Sequence, residues 1–191
     1  MDKVKVRAFV AIELSDLVRQ ELSRIVDELK PAGDGVKWLD PSSMHITLKF
    51  LGDVPLGVIE DLKLVIENVS SSHSCFGIRM GEVGVFPGWR SPRVIWMGID
   101  SGASELVEIA GRLESAFSGY GFPAEGKKFV PHITLGRVRK GRKFETLRNS
   151  AVSVHAGDIV SPADHITLFK SELTSAGAIH TPIARLRMEG G

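Results

Sequence analysis

The chain carries the stretch His45-Ile46-Thr47-Leu48 and repeats it 87 residues later as His132-Ile133-Thr134-Leu135. The match extends upstream of both copies. An apolar run containing Phe9 lies 36 residues before His45, and another containing Trp96 lies 36 residues before His132. Equal spacing between an apolar strand signal and a His-x-Thr strand indicates a duplicated supersecondary unit. A pseudo-two-fold axis between the two copies would bring two histidines face to face across a cleft.

Each His-x-Thr stretch is expected to form a strand with one polar and one apolar face. Side chains alternate along a strand, so His45 and Thr47 share one face, and Ile46 and Leu48 share the other. The second copy repeats this pattern. Each strand would therefore turn an imidazole and a hydroxyl toward a cleft and two aliphatic side chains toward a core.

Two imidazoles in one cleft suit acid–base chemistry, because histidine titrates near neutral pH. One ring can be neutral and accept a proton while the other donates one. A threonine two residues further on can donate a hydrogen bond to an anionic oxygen between the rings. Without a nucleophilic cysteine or an acidic metal cluster, this set favours in-line attack on a phosphodiester.

A third copy of the stretch, His165-Ile166-Thr167-Leu168, serves as an internal control. The position 36 residues before it is Phe129, which belongs to the second motif strand rather than to an upstream apolar strand. We interpret this copy as a structural strand. The remaining histidines, His73, His155 and His180, have no partner motif, and we treat them as non-catalytic.

The pattern of the whole chain predicts an α+β fold. Strands are expected over about residues 4–14, 36–39, 44–51, 76–80, 94–99, 129–138, 154–160, 165–170 and 180–188, and helices over about residues 15–30, 56–69, 104–118 and 144–149. Strands and helices do not alternate regularly, which predicts antiparallel or mixed sheets lining a central cleft, with helices on their outer faces. We expect one domain over residues 1–191, made of two pseudo-symmetric lobes with one motif each.

Composition narrows the class of protein. The 191 residues are 43% hydrophobic and 25% charged, as in ordinary globular proteins, and the apolar stretches are too short to span a membrane. The single cysteine, Cys75, excludes a disulfide framework. Amide side chains are limited to Gln20, Asn68 and Asn149, which indicates a thermophilic source. A cytoplasmic location is the default expectation.

Net charge is only +1, but basic residues concentrate around the second motif. Eight of them fall between positions 127 and 148, with Glu145 as the one acid: Lys127, Lys128, Arg137, Arg139, Lys140, Arg142, Lys143 and Arg148. A run of this kind is typical either of a solvated loop or of a polyanion-binding surface. Its place beside the motif keeps the second interpretation open.

Four segments resemble the 2H phosphoesterase superfamily: residues 7–12, residues 45–52, residues 129–137 and residues 168–177. They are most similar to its RNA 2′,3′-cyclic phosphodiesterase branch, also called the 2′-5′ RNA ligase family. The resemblance implies a bilobal fold with facing motifs. It also implies metal-independent hydrolysis of RNA 2′,3′-cyclic phosphate ends to 2′-phosphates, with no cofactor. One departure is His180, where tyrosine is expected.

The resemblance also implies a role for each motif residue. His132 would be the general base, His45 the general acid, and Thr47 and Thr134 would hold the phosphoryl oxygens. Arg137 would add a cation to the phosphate. Strand parity argues against Arg137, since it lies five residues from His132, unless a bulge at Gly136 redirects it. Phe50, the counterpart of Arg137 in the first half, is expected in the core rather than as a base-stacking platform.

Three alternatives remain open at this point. The same site could join tRNA halves through a 2′-5′ linkage without ATP, because ligation reverses the opening of a cyclic phosphate. The basic run could belong to a non-catalytic module that binds RNA ends. Lastly, His45 and His132 could be ligands of a metallohydrolase, although neither motif carries Asp or Glu at ligand spacing. The expected partner is RNA with 2′,3′-cyclic phosphate ends, and we expect a monomer.

Overall fold

The structure is a computed structural model that describes residues 4–139, 144–175 and 177–189. Within these residues it contains nine strands and four α-helices. The strands are β1 (Lys5–Ile12), β2 (Val36–Trp38), β3 (Ile46–Pro55), β4 (Phe76–Phe86), β5 (Val94–Ser101), β6 (His132–Val138), β7 (Val160–Ala163), β8 (His165–Leu173) and β9 (Ala178–Arg187). The helices are α1 (Asp16–Leu29), α2 (Ile59–Ser71), α3 (Ala103–Ser118) and α4 (Glu145–Ser153). The α+β class is confirmed.

Local signals in the sequence explain where α1 begins and which face it buries. Ser15 precedes α1, and its hydroxyl accepts a hydrogen bond from the Val18 amide at 3.4 Å, as an N-cap does. The same helix buries Leu22, Ile25 and Leu29 at helical spacing. Here the predicted and observed elements agree to within one or two residues.

The strand predicted over residues 154–160 is wrong. Leu147, Ala151 and Val154 are all buried, and their spacing of four and three residues is helical. The amide of Val154 still donates to the Ser150 carbonyl, so Val154 is the C-cap of α4 and is not the start of a strand. The strand β7 begins only at Val160.

The strands form one antiparallel sheet with a pseudo-symmetric order. From edge to edge the order is β7-β4-β5-β6-β3-β1-β8-β9, and β2 pairs separately with β6. The central neighbours β6 and β3 carry the two motifs. They are flanked by β5 and β1, then by β4 and β8, and finally by β7 and β9. The expected duplication is therefore visible in the sheet order.

The helices cover one face of this sheet and leave the other open. Ile46, Leu48, Ile133 and Leu135 are at most 8% exposed and belong to the main core with the buried faces of all four helices. A second, small cluster of Phe9, Ala11 and Phe169 is separate from that core. We call the surface that bears this second cluster the cleft face.

A β-bulge at the same place in each motif strand changes which side chains reach the cleft face, and β3 has a second register shift further on, at Leu51. In β3 the pairing to β1 passes from Thr47 to Lys49 and skips Leu48. In β6 the pairing to β5 passes from Thr134 to Gly136 and skips Leu135. The skipped residues are themselves 87 positions apart, so the bulge is part of the duplicated unit. Each bulge reverses the alternation of the strand beyond it.

No helix among the described residues is both long enough and apolar enough to cross a membrane.

Candidate active site

The two motif strands are paired near their starts. Ile46 of β3 is paired with Ile133 of β6 in an antiparallel register. In this register the residue before Ile46 lies toward the residue after Ile133, so His45 lies on the side of Thr134 and Thr47 on the side of His132. The aliphatic partners point into the core, and these four side chains therefore share the cleft face. The structure brings together the set that the sequence predicted.

Both histidines are held in the same way by a nearby main-chain carbonyl. Nδ1 of His45 lies 2.9 Å from the Ser43 oxygen, and Nδ1 of His132 lies 2.8 Å from the Val130 oxygen. A carbonyl oxygen only accepts, so Nδ1 carries the proton in each ring. The Nε2 atoms are left to exchange protons with a substrate.

Aromatic rings fix the plane of each imidazole. Phe9 stacks on His45 with a centroid distance of 4.7 Å, and Trp96 lies 6.1 Å from His132. Phe86 adds an edge-on contact to His132 at 5.1 Å. Phe9 and Trp96 are the two residues at matched spacing in the sequence. Their repetition therefore reflects one aromatic support for each histidine.

Burial makes both imidazoles hard to charge. It is the main cause that lowers the pKa of His45 to about 4, and the nearby His180, Arg19 and His132 add like charge. Burial also lowers the pKa of His132, with a further contribution from the Arg137 cation. A bound phosphate anion would raise both pKa values, because it stabilises the imidazolium form.

The lowered pKa of His45 predicts a loss of stability in acid. Its folded pKa of about 4 is below the unfolded value of about 6.5, so its contribution is present above pH 6.5 and is lost as the pH falls toward 4. Between pH 7 and pH 5 we expect this group to lower the free energy of unfolding by about 2 kcal/mol. Urea unfolding across this range measures the change. A His45→Gln variant with the wild-type pH slope would contradict it.

Arg137 reaches the cleft face because of the bulge in β6. Arg137 pairs with Val94, and Thr134 pairs with Trp96, two residues further along β5. Val94 and Trp96 share a face, so Arg137 and Thr134 share it too. Simple parity predicts the opposite face. The bulge is accommodated at Gly136, where a Cβ would lie 2.8 Å from a Val36 methyl group.

The prediction that Phe50 lies in the core is wrong, because 57% of this residue is exposed. The bulge in β3 turns Lys49 inward, where its ammonium contacts Glu114 at 2.9 Å and donates to the Pro123 carbonyl at 2.9 Å. Phe50 then falls on the cleft face, with its ring 6.2 Å from that of Phe9.

His180 is a residue of the site that sequence reasoning placed outside it. Its ring stands edge-on to His45 at 5.2 Å and to Phe9 at 4.9 Å. Its Nδ1 is buried and has no hydrogen-bond partner among the described residues. The only signal in the sequence was the departure from tyrosine at this position, because the contact joins β9 to β3 across two other strands.

The third copy of the stretch has different partners. Nδ1 of His165 lies 2.9 Å from the Asp164 carboxylate. The Thr167 hydroxyl is buried and donates to Glu13 at 2.9 Å, and Glu13 also accepts from Arg185. This copy lies on β8, which β1 separates from the motif strands. Its threonine is thus committed to a structural hydrogen bond.

Part of the predicted basic run can be placed. Arg139 follows β6 and donates its amide to the Gly35 carbonyl at 2.9 Å, which ties the end of the strand to the segment before β2. Lys140, Arg142 and Lys143 lie outside the described residues. Among the residues that are described, no three His, Cys, Asp or Glu side chains are grouped so that they could hold a metal ion.

Comparison with known sequences extends over the whole chain. The profile of the family described as LigT-like phosphoesterase matches residues 12–96 and 98–180; the first segment holds His45 and Thr47, and the second holds His132 and Thr134. A Methanothermobacter thermautotrophicus protein named RNA 2′,3′-cyclic phosphodiesterase is 35% identical over 188 residues, which cover 97% of this chain and 100% of that protein. An Aquifex aeolicus protein of the same name is 32% identical over 190 residues, covering 97% and 98%.

Two solved structures share the fold. TT0787 of Thermus thermophilus superposes with a TM-score of 0.80 at 24% identity, covering 96% of this chain and 98% of that chain. E. coli LigT complexed with 3′-AMP also superposes with a TM-score of 0.80 at 24% identity, covering 97% and 99%. The order of strands around the two motifs is therefore found in other proteins as well.

Proposed function

We propose a function for this chain from the premise that it belongs to the LigT-like phosphoesterase family. In this proposal the chain hydrolyses RNA 2′,3′-cyclic phosphate ends to 2′-phosphates without a metal ion. The coarser part of this statement, a phosphodiesterase of the 2H type, follows from membership and from the names of the relatives. The observation that supports the finer part is the Ile46–Ile133 pair, because it puts both His-x-Thr sets on one face.

In the proposed reaction, water attacks the phosphorus atom while the bond to the ribose 3′-oxygen breaks. His132 accepts a proton from the water through Nε2, and His45 donates a proton from Nε2 to the departing 3′-oxygen. The products are a 2′-phosphate and a free 3′-hydroxyl. Solvent then returns both rings to their starting protonation states. The assignment of acid and base rests on the family resemblance, since the two motifs are nearly symmetric.

The other motif residues would stabilise charge on the phosphoryl group. Thr47 and Thr134 would each donate a hydroxyl hydrogen bond to a non-bridging oxygen, and the Arg137 guanidinium would add a positive charge. An anion bound there would also raise the pKa of His45, which must carry a proton before it can act as an acid.

Phe50 is placed to receive the base of the terminal nucleotide. An exposed ring on the cleft face beside Phe9 offers a flat surface for stacking, which contributes about 1–3 kcal/mol per base. We expect Phe50→Ala to raise KM by about tenfold and to leave kcat within about twofold. Steady-state kinetics on a cyclic nucleotide measures this, with Leu173→Ala, another exposed apolar residue, as the control. An unchanged KM would contradict the stacking role.

Product analysis tests the proposed function. The substrate is an RNA oligonucleotide with a 2′,3′-cyclic phosphate end, incubated with excess EDTA. Clean conversion to the 2′-phosphate by wild type, and none by His45→Ala or His132→Ala, is the expected result. A 3′-phosphate product, or loss of activity in EDTA, would contradict the proposal. A joined 2′-5′ product from added 5′-hydroxyl RNA would indicate ligation at the same site.

Three finer assignments accompany the proposal. The RNA ends would include those of tRNA halves, the protein would act as a monomer, and it would act in the cytoplasm. The first is supported by the resemblance alone, and the other two remain predictions from the sequence.

A further inference from the structure

The guanidinium of Arg19, on α1, is bound to four main-chain carbonyls around the first motif. Nε donates to the Leu14 oxygen at 3.1 Å. Nη1 contacts the oxygens of Pro41 at 2.9 Å, Ser42 at 2.7 Å and Met44 at 3.1 Å. Three of the four carbonyls belong to the turn that immediately precedes His45.

That turn also holds the imidazole. It is a short 3-10 turn over Pro41–Ser43, capped by Asp40, whose carboxylate accepts from the Ser42 amide at 2.8 Å. The one carbonyl of residues 41–44 that does not bind Arg19 is that of Ser43. This carbonyl accepts from Nδ1 of His45 at 2.9 Å. The turn therefore directs three oxygens to a guanidinium and one to the histidine.

The position in the duplicated half that corresponds to Arg19 carries no cation. The position 87 residues after Arg19 is Leu106, which is fully buried in α3. His132 nevertheless makes the matching bond from Nδ1 to the carbonyl two residues before it, that of Val130. The two histidines thus have the same hydrogen bond, but among the residues that the structure describes, an arginine binds the turn before His45 and none binds the segment before His132.

We propose that Arg19 is a positioning residue for His45: by binding the turn of residues 41–44, it keeps the Ser43 carbonyl on Nδ1 and so keeps Nε2 turned to the cleft with a fixed tautomer. The inference rests on the proposed function in that His45 acts on the substrate. Arg19 itself touches the main chain. Its nearby charge also makes a protonated His45 a stronger acid, which favours proton transfer to the leaving oxygen.

Kinetics of Arg19 variants provide the first test. Arg19→Met keeps the length of the side chain but donates no hydrogen bond, so we expect kcat to fall about tenfold or more while KM stays within about twofold. Arg19→Lys should recover little, because one ammonium group cannot reproduce the planar donors. Arg112→Ala, an exposed arginine on α3 bonded to Glu108, is the matched control and should keep wild-type rates.

Chemical rescue and NMR separate positioning from mere folding. Millimolar guanidinium should restore part of the kcat of Arg19→Ala and leave Arg112→Ala unchanged. The ¹⁵N spectrum should show one tautomer of His45 in wild type and a mixture in Arg19→Met, whether or not the variant is active. An intact Arg19→Met protein with wild-type kcat would overturn the proposal. Lost activity without rescue and with the His45 tautomer unchanged would also overturn it. Lack of turnover by wild type would concern the proposed function instead.

Discussion

Replacing either His45 or His132 with alanine is expected to lower kcat/KM by about 10²-fold or more, because in the proposed reaction each ring would perform one of the two proton transfers. Both imidazoles lie on the cleft face with Nδ1 bound to a carbonyl, so Nε2 is the nitrogen of each ring that would transfer a proton. Single-turnover rates on a cyclic phosphate oligonucleotide measure the loss. The double variant should be little worse than either single variant, since the two rings act as a unit.

The third copy of the stretch supplies the matched control. His165→Ala removes the same residue type from the same four-residue sequence, but this ring pairs with Asp164 on β8. Its rate should stay near that of wild type. Inactivation of His165→Ala, or a His45→Ala variant close to the wild-type rate, would show that His45 and His132 are not the catalytic pair.

Replacing Thr47 or Thr134 with valine should lower kcat by about 10²-fold and leave stability nearly unchanged. Each substitution keeps the shape of the side chain but removes a hydroxyl that would bind a phosphoryl oxygen in the transition state. Both threonines are partly exposed on the cleft face, so neither leaves a buried partner unsatisfied in the free protein. Rates and thermal unfolding should be measured on the same samples.

Thr167→Val, in the third copy, should show the reverse pattern. Its hydroxyl is buried and donates to Glu13, so its loss should cost about 1–3 kcal/mol of stability with little change in kcat. A stable but inactive Thr167→Val protein would contradict this contrast between Thr167 and the two motif threonines. So would a Thr134→Val protein with the wild-type rate.

The parts of the fold that follow from local patterns could be predicted from the sequence. The spacing of Phe9 from His45 and of Trp96 from His132 identified the duplicated unit. This spacing is the same in both halves because each aromatic ring lies on the strand next to a motif strand and contacts the imidazole of that motif strand. Helix α1 could be predicted equally well, since its N-cap and the spacing of its apolar residues are local features of the sequence.

β-Bulges limit such predictions, because one extra residue in a strand moves the side chains beyond it to the opposite face of the sheet. Parity alone would place Arg137 on the core side, and the analogy of the halves put Phe50 in the core. The structure shows a bulge before each of them, and both reach the cleft face. The bulges could not be read from hydrophobic alternation, because Lys49 is a buried charge and Gly136 has no side chain.

Contacts between distant segments of the chain also could not be predicted from the sequence. His180 reaches His45 from β9, and Arg19 reaches the turn before His45 from α1. Neither residue belongs to a repeated pattern, and each acts on one half only. The duplicated pattern therefore predicted the residues that both halves contain, and it could not predict a residue that acts on one half only.

The pH dependence of kcat/KM tests the two-histidine account most directly. Because burial lowers the pKa of both His45 and His132 in the free protein, we expect a bell-shaped profile with its maximum below pH 6.5. His132→Ala should lose the ascending limb, because no base then has to be deprotonated, and His45→Ala should lose the descending limb, because no acid then has to be protonated. A wild-type profile with a single limb, or two variants that each keep both limbs, would contradict the account.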